Sequence, residues 1–397
     1  MVETVAGLEL ADIVRLHGEA YRRGHGLSRP QLRALRAIEI CRTGTLGGHV
    51  YRCAQCGQEK ICYNSCRNRH CPKCQSLDRQ RWLEERSTEL LPVPYFHLVF
   101  TLPEEINALA LINPRLIYTL LFDSASQTLL EIAADPKHLG ARIGVLAVLH
   151  TWGQTLQLHP HLHCIVPGGG LSQDRKRWIG SRPKFFLPVA VLSRLFRGTF
   201  LAGLKAAYQS GELKLPESWP EPGSFRALLD RLYAKTFVVY SKPPFGSPEK
   251  VLRYLARYTH RVAISNSRLV RLDQGQVTFT YKDYSDEDKV EEMTLAVEEF
   301  LRRFLLHILP ERFVRIRYYG LLSTRTREED LALCRQLLGA ASVCAAGEPV
   351  IAESWRELQA RLTGQDPALC PHCEGGHLLW VKELSATPYR GGAGRSP

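Results

Sequence analysis

The sequence predicts an α+β fold: a central antiparallel sheet with flanking helices, preceded by a small zinc-binding module. Three observations predict it. Strand-length apolar segments bounded by proline or glycine alternate with helix-length amphipathic ones. Two of the strands, at 143–152 and 161–170, follow each other too closely for a crossover and so pair antiparallel. Seven of the 12 cysteines fall early in the chain, from Cys41 to Cys74.

The elements follow in order. Residues 8–40 read as two helices broken at "GHGLSRP", with Ser28 as cap and Pro30 in the first turn of the second. The cysteine module spans 41–76, and "SLDRQRWLEERSTELL" is a charged helix leading out of it. "YFHLVFTLP" is a strand ended by Pro103, and 104–140 is helical. "IGVLAVLHTW" is a buried strand, and after a turn at Pro160 "HLHCIVPGGG" is its partner. Residues 186–234 are mostly helical, and "TFVVYSK" (236–242) is a further strand. "SPEKVLRYLARYTHR" is a helix capped by Ser247. Residues 268–283 form a hairpin turning at Asp273–Gly275, and "LAVEEFLRRFLLHILP" is a helix ended by Pro310. In "RFVRIRYYG", Val314 and Ile316 face one way and Arg315 and Arg317 the other. The tail beyond 384 reads as disordered.

Composition narrows the function. The 397 residues are 45% hydrophobic and 23% charged, enough for two or three domains with real cores. A net charge of +12 suits a polyanionic partner, most simply nucleic acid. The N-terminus lacks the basic start and apolar core of a signal peptide, and no run of 18 apolar residues occurs. A cytoplasmic, DNA-associated protein with no membrane partner is expected. The absence of a G-x-x-x-x-G-K-[ST] loop argues against an ATP motor.

Clustered cysteines in such a protein indicate metal rather than disulfides. Cys53 and Cys56 form one C-x2-C knuckle and Cys71 and Cys74 a second, with 14 residues between. Two such knuckles complete a tetrahedral structural Zn²⁺ site. Cys66, His70 and His49 remain as ligand types for a second zinc, with Cys41 upstream. The late knuckle of Cys370 and Cys373 has no clear partner.

In the strand "HPHLHCIVPGGG", His161 and His163 share one face, which makes a metal half-site, and Leu162 points into the core. Pro160 is expected to bend His159 away. Gly168–Gly170 either admit a DNA strand closely or simply end the strand. In the helix "VLRYLARYTH", Tyr254 and Tyr258 leave one face, flanked by Lys250, Arg253 and Arg257. The same tyrosines also fit an ordinary core stripe with Val251 and Leu255.

Taken together, "SCRNRHCPKC", "HPHLHCIVPGGG", "YLARYTHRVAISNSR" and "VRIRYYGLL" resemble the two-tyrosine HUH transposases of the insertion sequence ninety-one type, from about Cys41 to Leu322. The resemblance implies an HUH endonuclease fold. It implies a catalytic Mg²⁺ or Mn²⁺ held by His161 and His163, and nucleophilic Tyr254 and Tyr258. It further implies rolling-circle transposition of single-stranded DNA through 5′-phosphotyrosine. The third metal ligand stays open among Gln154, Gln157, His159 and His260. Lys250, Arg253, Arg257, Arg315 and Arg317 are the DNA-binding candidates. The domains expected are 1–85 (helices and zinc module), 86–325 (catalytic) and 326–397 (C-terminal). A replication initiator or relaxase of the same chemistry, and a non-catalytic zinc-dependent DNA-binding regulator, are the competing readings. Nothing in the sequence sets the oligomeric state.

Overall fold

The structure, a computed structural model, describes residues 7–74, 82–83, 85–219, 223–242, 250, 263–283 and 289–339, and further on 356–357, 360–361, 364, 366–373 and 375–387. Chain contacts divide it into two compact units. One comprises Met1–Arg79, His260–Ile308 and Cys344–Pro397; the other comprises Gln80–Thr259 and Leu309–Val343. These units are not the contiguous segments expected from boundaries near 85 and 325. Long-range strand pairing draws a late segment back onto the first residues.

The second unit is built on a five-stranded antiparallel sheet. Its strands are β3 (Tyr95–Thr101), β4 (Gly144–Trp152), β5 (Leu158–Pro167), β8 (Val238–Lys242) and β12 (Ile316–Gly320), in spatial order β12-β4-β5-β3-β8. The histidine strand β5 is therefore the middle strand. The pleat sends Phe96, Leu98, Phe100, Val145, Ala147, Leu149, Leu162, Cys164 and Val166 to one face. That face is covered by helices α3 (Asn107–Ile112), α4 (Pro114–Ala134), α5 (Val189–Gln209) and α6 (Gly223–Ala234). Burying this many aromatic and branched side chains supplies most of the unit's stability.

The opposite face is divided. At one end Tyr95, Leu146 and Ile165 form a smaller apolar cluster with Leu331 and Cys334 of α8 (Arg327–Leu337). At the other end lie the histidines. A short ribbon, β6 (Gly169–Leu171) with β7 (Trp178–Gly180), extends from β5. Asp330 of α8 is fully buried and ion-paired to Arg142 and to Arg175, the latter at 3.0 Å.

Two local expectations are corrected. The turn between β4 and β5 is at Gly153–Gln157, where the Gly153 amide donates to the Gln157 carbonyl (3.0 Å), not at Pro160. Pro160 lies inside β5 at a register shift between His150↔His161 and Trp152↔Leu158, a bulge where a missing N–H is tolerated. In 312–320 only Ile316–Gly320 is strand, and Val314 is 61% exposed. Arg317 faces the helix-covered side: its guanidinium lies 4.2 Å from the centre of the Phe122 ring and 5.3 Å from that of Phe313.

The first unit carries two three-stranded sheets. β1 (Gly48–Cys53) lies between β2 (Glu59–Tyr63) and β13 (Leu378–Leu384). β10 (Gln276–Asp283) lies between β9 (Leu269–Asp273) and β11 (Lys289–Ala296). The β9–β10 hairpin turns where predicted, with Gln274 and Gly275 both at positive φ, the signature of a tight two-residue hairpin. Helices α1 (Leu10–Gly24) and α2 (Arg29–Glu39) form as expected. Ser28 caps α2 reciprocally with Gln31. The predicted helix at 295–310 is shorter: Leu295 pairs with Val277 in β11, and α7 runs from Val297 to Leu305.

Candidate metal centres

Three groups of ligand-type side chains converge among the described residues. Two consist of four cysteines, Cys41/Cys66/Cys71/Cys74 and Cys53/Cys56/Cys370/Cys373, and one consists of His150, His161 and His163. In each group the ligand atoms lie within 4.8 Å of one another.

The cysteine pairing differs from that expected. Cys53 and Cys56 do not join Cys71 and Cys74. The second knuckle instead meets Cys41, at the end of α2, and Cys66. The Cys74 sulfur lies 3.5 Å from both Cys41 and Cys66. A tetrahedron with Zn–S bonds of ~2.3 Å has edges of about 3.8 Å, so the four sulfurs are close to zinc geometry. Local turns set them there: Arg67 adopts a left-handed conformation, and the Cys71 amide donates to the Asn68 carbonyl. Proton sharing within the group lowers Cys41 to about 7, chiefly through Cys66, and lowers Cys74 through Cys41; the same contacts raise Cys66 and Cys71. Four thiolates this close repel one another unless a cation sits among them.

His70 and His49 belong to neither group. His70 is buried, with its Nδ1 3.2 Å from the Asn68 side-chain oxygen. His49 lies on β1 opposite Cys62 and beside the Tyr51 ring.

His161 and His163 share a face of β5, with their Nε2 atoms 3.1 Å apart. Octahedral bonds of ~2.1 Å would separate neighbouring ligands by about 3.0 Å, so this spacing suits one ion. His150 completes the set. It is not among the residues weighed as third ligand. It stands directly across from His161 in the β4–β5 register, its ring 4.3 Å from that of His163. Gln154 and Gln157 lie in the preceding turn, and His260 lies outside the described residues. His159 does share the face, with its ring 5.1 Å from His161, but is exposed. Three imidazoles on adjacent strands leave several coordination positions open, unlike the closed sulfur groups.

The surrounding hydrogen bonds orient these rings. His161 Nδ1 donates to the His159 carbonyl at 2.6 Å, which leaves its Nε2 lone pair facing His163. His163 Nδ1 lies 2.7 Å from Nε2 of His97, a buried residue of β3 whose ring stacks on it. If His163 ligates through Nε2, its Nδ1–H donates to His97. Burial pushes His97 and His161 down to about 4, and His163 well below its ordinary range. All three are therefore neutral at neutral pH, as ligation requires. Lys242 pairs with His97 across β3–β8, and Tyr240 with Val99, so both stand on the histidine face. The Lys242 ammonium lies 5.8 Å from the Tyr240 ring centre.

The other predicted residues divide. Lys250 is exposed; Tyr254, Tyr258, Arg253 and Arg257 lie outside the described residues. Arg315 is half-buried. Arg317 is held 3.8 Å from Asp123 besides its aromatic contacts, on the sheet face away from the histidines. Gly168–Gly170 are buried against their own chain: a Cβ on Gly168 would stand 2.9 Å from the Pro94 carbonyl, and one on Gly169 2.5 Å from that of Ile179. They serve close backbone packing rather than an open groove.

Comparison with known proteins adds independent findings. Residues 13–102 match a family described as "Transposase zinc-binding domain", and residues 144–330 a family described as "Putative transposase". The chain is 54% identical to "Putative transposase y4qJ" of Sinorhizobium fredii, over 95% of this chain and 96% of that one. It is 26% identical to "Transposase for insertion sequence element IS801" of Pseudomonas savastanoi pv. phaseolicola, over 92% of this chain and 87% of that one. No solved structure matches.

Proposed function

This chain belongs to the transposases of the insertion sequence ninety-one type, with an N-terminal zinc-binding domain, and from that premise we propose that it cuts and rejoins single-stranded DNA by a two-tyrosine mechanism on an HUH-type sheet. DNA cleavage is the activity its family implies. The observation that carries the finer reading is the trio His150, His161 and His163 on the face of a central antiparallel sheet. Those residues would hold Mg²⁺ or Mn²⁺. When bound, the cation offsets charge on the scissile phosphate and orients the diester.

The chain's own groups supply the rest. Tyr254 or Tyr258 attacks phosphorus through its phenolic oxygen, forming a tyrosine O–P bond. The P–O3′ bond breaks, the 3′ oxygen takes a proton, and a 5′-phosphotyrosine and a free 3′-OH remain. A tyrosine hydroxyl has an ordinary pKa near ~10, so activation at the phosphate matters. Attack by a 3′-OH on the phosphotyrosine reverses the step and joins strands without ATP. In sequence, Tyr254 follows the end of β8 at Lys242 by 12 residues (254 − 242), and β8 borders the histidine face. Tyr240 and Lys242 on that edge offer an aromatic surface and a cation, a pairing that suits single-stranded DNA. His97 is a positioning residue that fixes the His163 ring through their hydrogen bond.

The test is an end-labelled single-strand oligonucleotide carrying a transposon end. Wild type with Mn²⁺ should yield a covalent adduct that survives denaturing electrophoresis. Each single Tyr→Phe variant should keep part of the cleavage, and Tyr254→Phe/Tyr258→Phe should form no adduct. An adduct mapped by mass spectrometry to any other residue refutes the tyrosine assignment.

A further inference from the structure

Neither matched family segment reaches Cys370 and Cys373, yet these two thiols close a group with Cys53 and Cys56. We propose that Cys53, Cys56, Cys370 and Cys373 bind a second structural zinc, a clasp whose two halves are more than 300 residues apart in sequence.

Four observations carry it. First, the sulfurs stand as a zinc site requires: Cys53–Cys373 are 3.6 Å apart and Cys56–Cys370 are 3.7 Å apart, against the tetrahedral edge of about 3.8 Å. Each knuckle supplies two sulfurs, so neither alone closes the sphere.

Second, each knuckle is a reverse turn that directs backbone amides at sulfur. The Gln55 and Cys56 amides donate to Cys53 Sγ at 3.4 Å, and the His372 amide donates to Cys370 Sγ at 3.3 Å. Amide donors of this kind stabilise a thiolate over a thiol. Gly57 and Gly375 take the positive φ that follows each knuckle.

Third, the backbone between them leaves no room for a side chain. A Cβ on Gly376 would lie 2.5 Å from Cys53 Sγ and 2.7 Å from Cys373 Sγ. That glycine lets the chain pass directly against the sulfur pair.

Fourth, the pairing is supported from outside the site. The Ala54 amide donates to the His377 carbonyl at 2.9 Å, and β13 continues from there along β1, with Cys53 opposite Leu378. The two knuckles are thus held by the ladder as well as by sulfur. A four-thiolate site carries no open position, so the ion it takes is a structural Zn²⁺.

The experiment counts zinc in full-length protein purified under reducing conditions and washed with chelator. A His161→Ala/His163→Ala background keeps the histidine site from contributing. Two zinc ions per chain are expected. Cys370→Ser/Cys373→Ser should lower the count to one, and Cys41→Ser/Cys66→Ser should also lower it to one. Gly376→Ala should release one zinc to chelator faster than the other. Zinc-edge X-ray absorption of the same background, with all its cysteines intact, should show a shell of four sulfurs per zinc. One zinc per chain, two zinc ions retained by Cys370→Ser/Cys373→Ser, or an average shell of three sulfurs and one nitrogen or oxygen overturns the proposal.

Discussion

The cysteine group formed by Cys41, Cys66, Cys71 and Cys74 and the histidine trio of the five-stranded sheet use opposite strategies to prepare for a cation. The sulfur group is closed: four ligands fill a tetrahedron, and mutual contact lowers some thiols while raising others, so full ionisation waits for the ion. The histidine trio is open: three ligands leave positions unfilled, and burial first, then neighbouring groups, lower His161 and His163 so that both are neutral before any ion arrives. On the function proposed above, the difference separates a site that completes a fold from one that completes a reaction. Mutations should therefore divide cleanly between stability and turnover.

The largest effect should come from the open site. His150→Ala, His161→Ala and His163→Ala are each expected to reduce metal-dependent cleavage by roughly 100-fold or more. Single-strand binding should largely survive, since phosphate contacts come from Lys and Arg and depend on salt. Cleavage gels and filter binding read the two separately. A His150→Ala variant cutting at the wild-type rate would break the trio and return the third position to other residues.

Next comes the closed site. Cys66→Ser should release zinc and cost several kcal/mol of stability in its unit, lowering DNA binding through unfolding. Zinc analysis beside a thermal melt checks this; an unchanged melt with zinc lost would show that the ion is not structural.

A smaller effect is set by pH. His97 sits at about 4 in the folded protein, against an ordinary value of 6.5, because it is buried. The unfolded chain then binds the extra proton between those values. This contribution is full above about pH 6.5, falls as pH drops through the window and levels off below about 4. By pH 5.5 about 1 kcal/mol should be lost. The urea midpoint of wild type minus that of His97→Phe, compared at pH 7.5 and 5.5 without added divalent ion, measures it. No change in that difference would mean His97 is protonated equally in both states.

The smallest effect should be at the histidines outside the groups. His49→Ala should leave zinc content unchanged, and His70→Gln should cost about 0.5 kcal/mol through its contact with Asn68. Zinc loss from either would reopen the ligand assignment.

Much of this was legible in sequence. Period-two patterning placed β4 and β5, put His161 and His163 on one face, and sent Leu162 to the core. His150 was missed because pairing partners depend on where a hairpin turns. With the turn set at Pro160, His150 has no reason to oppose His161; with it at Gly153–Gln157 the two fall in register. The sulfur pairing failed for a related reason. Neighbouring knuckles at regular spacing look like partners, but only strand topology shows that β13 returns to β1. A signal was present: three C-x2-C knuckles with Cys41 and Cys66 make eight thiols, two complete sets. Arg317 was misjudged because alternation gives two faces without saying which is covered, and α4 covers its side.

The position of β1 has a consequence for how the protein is made. β1 is the middle strand of its sheet, yet one of its partners begins at Leu378, 325 residues after Cys53 (378 − 53). During synthesis at ~10 residues per second, that strand waits on the order of half a minute for its neighbour. Until then an edge with unpaired amides and carbonyls faces the cell, the kind of surface that captures other chains. The second unit, whose strands end at Gly320, can pair its whole sheet earlier. β1 is thus translated early yet is among the last strands to be paired, and a chain cut short between Gly320 and Leu378 should carry a complete five-stranded sheet and an exposed β1.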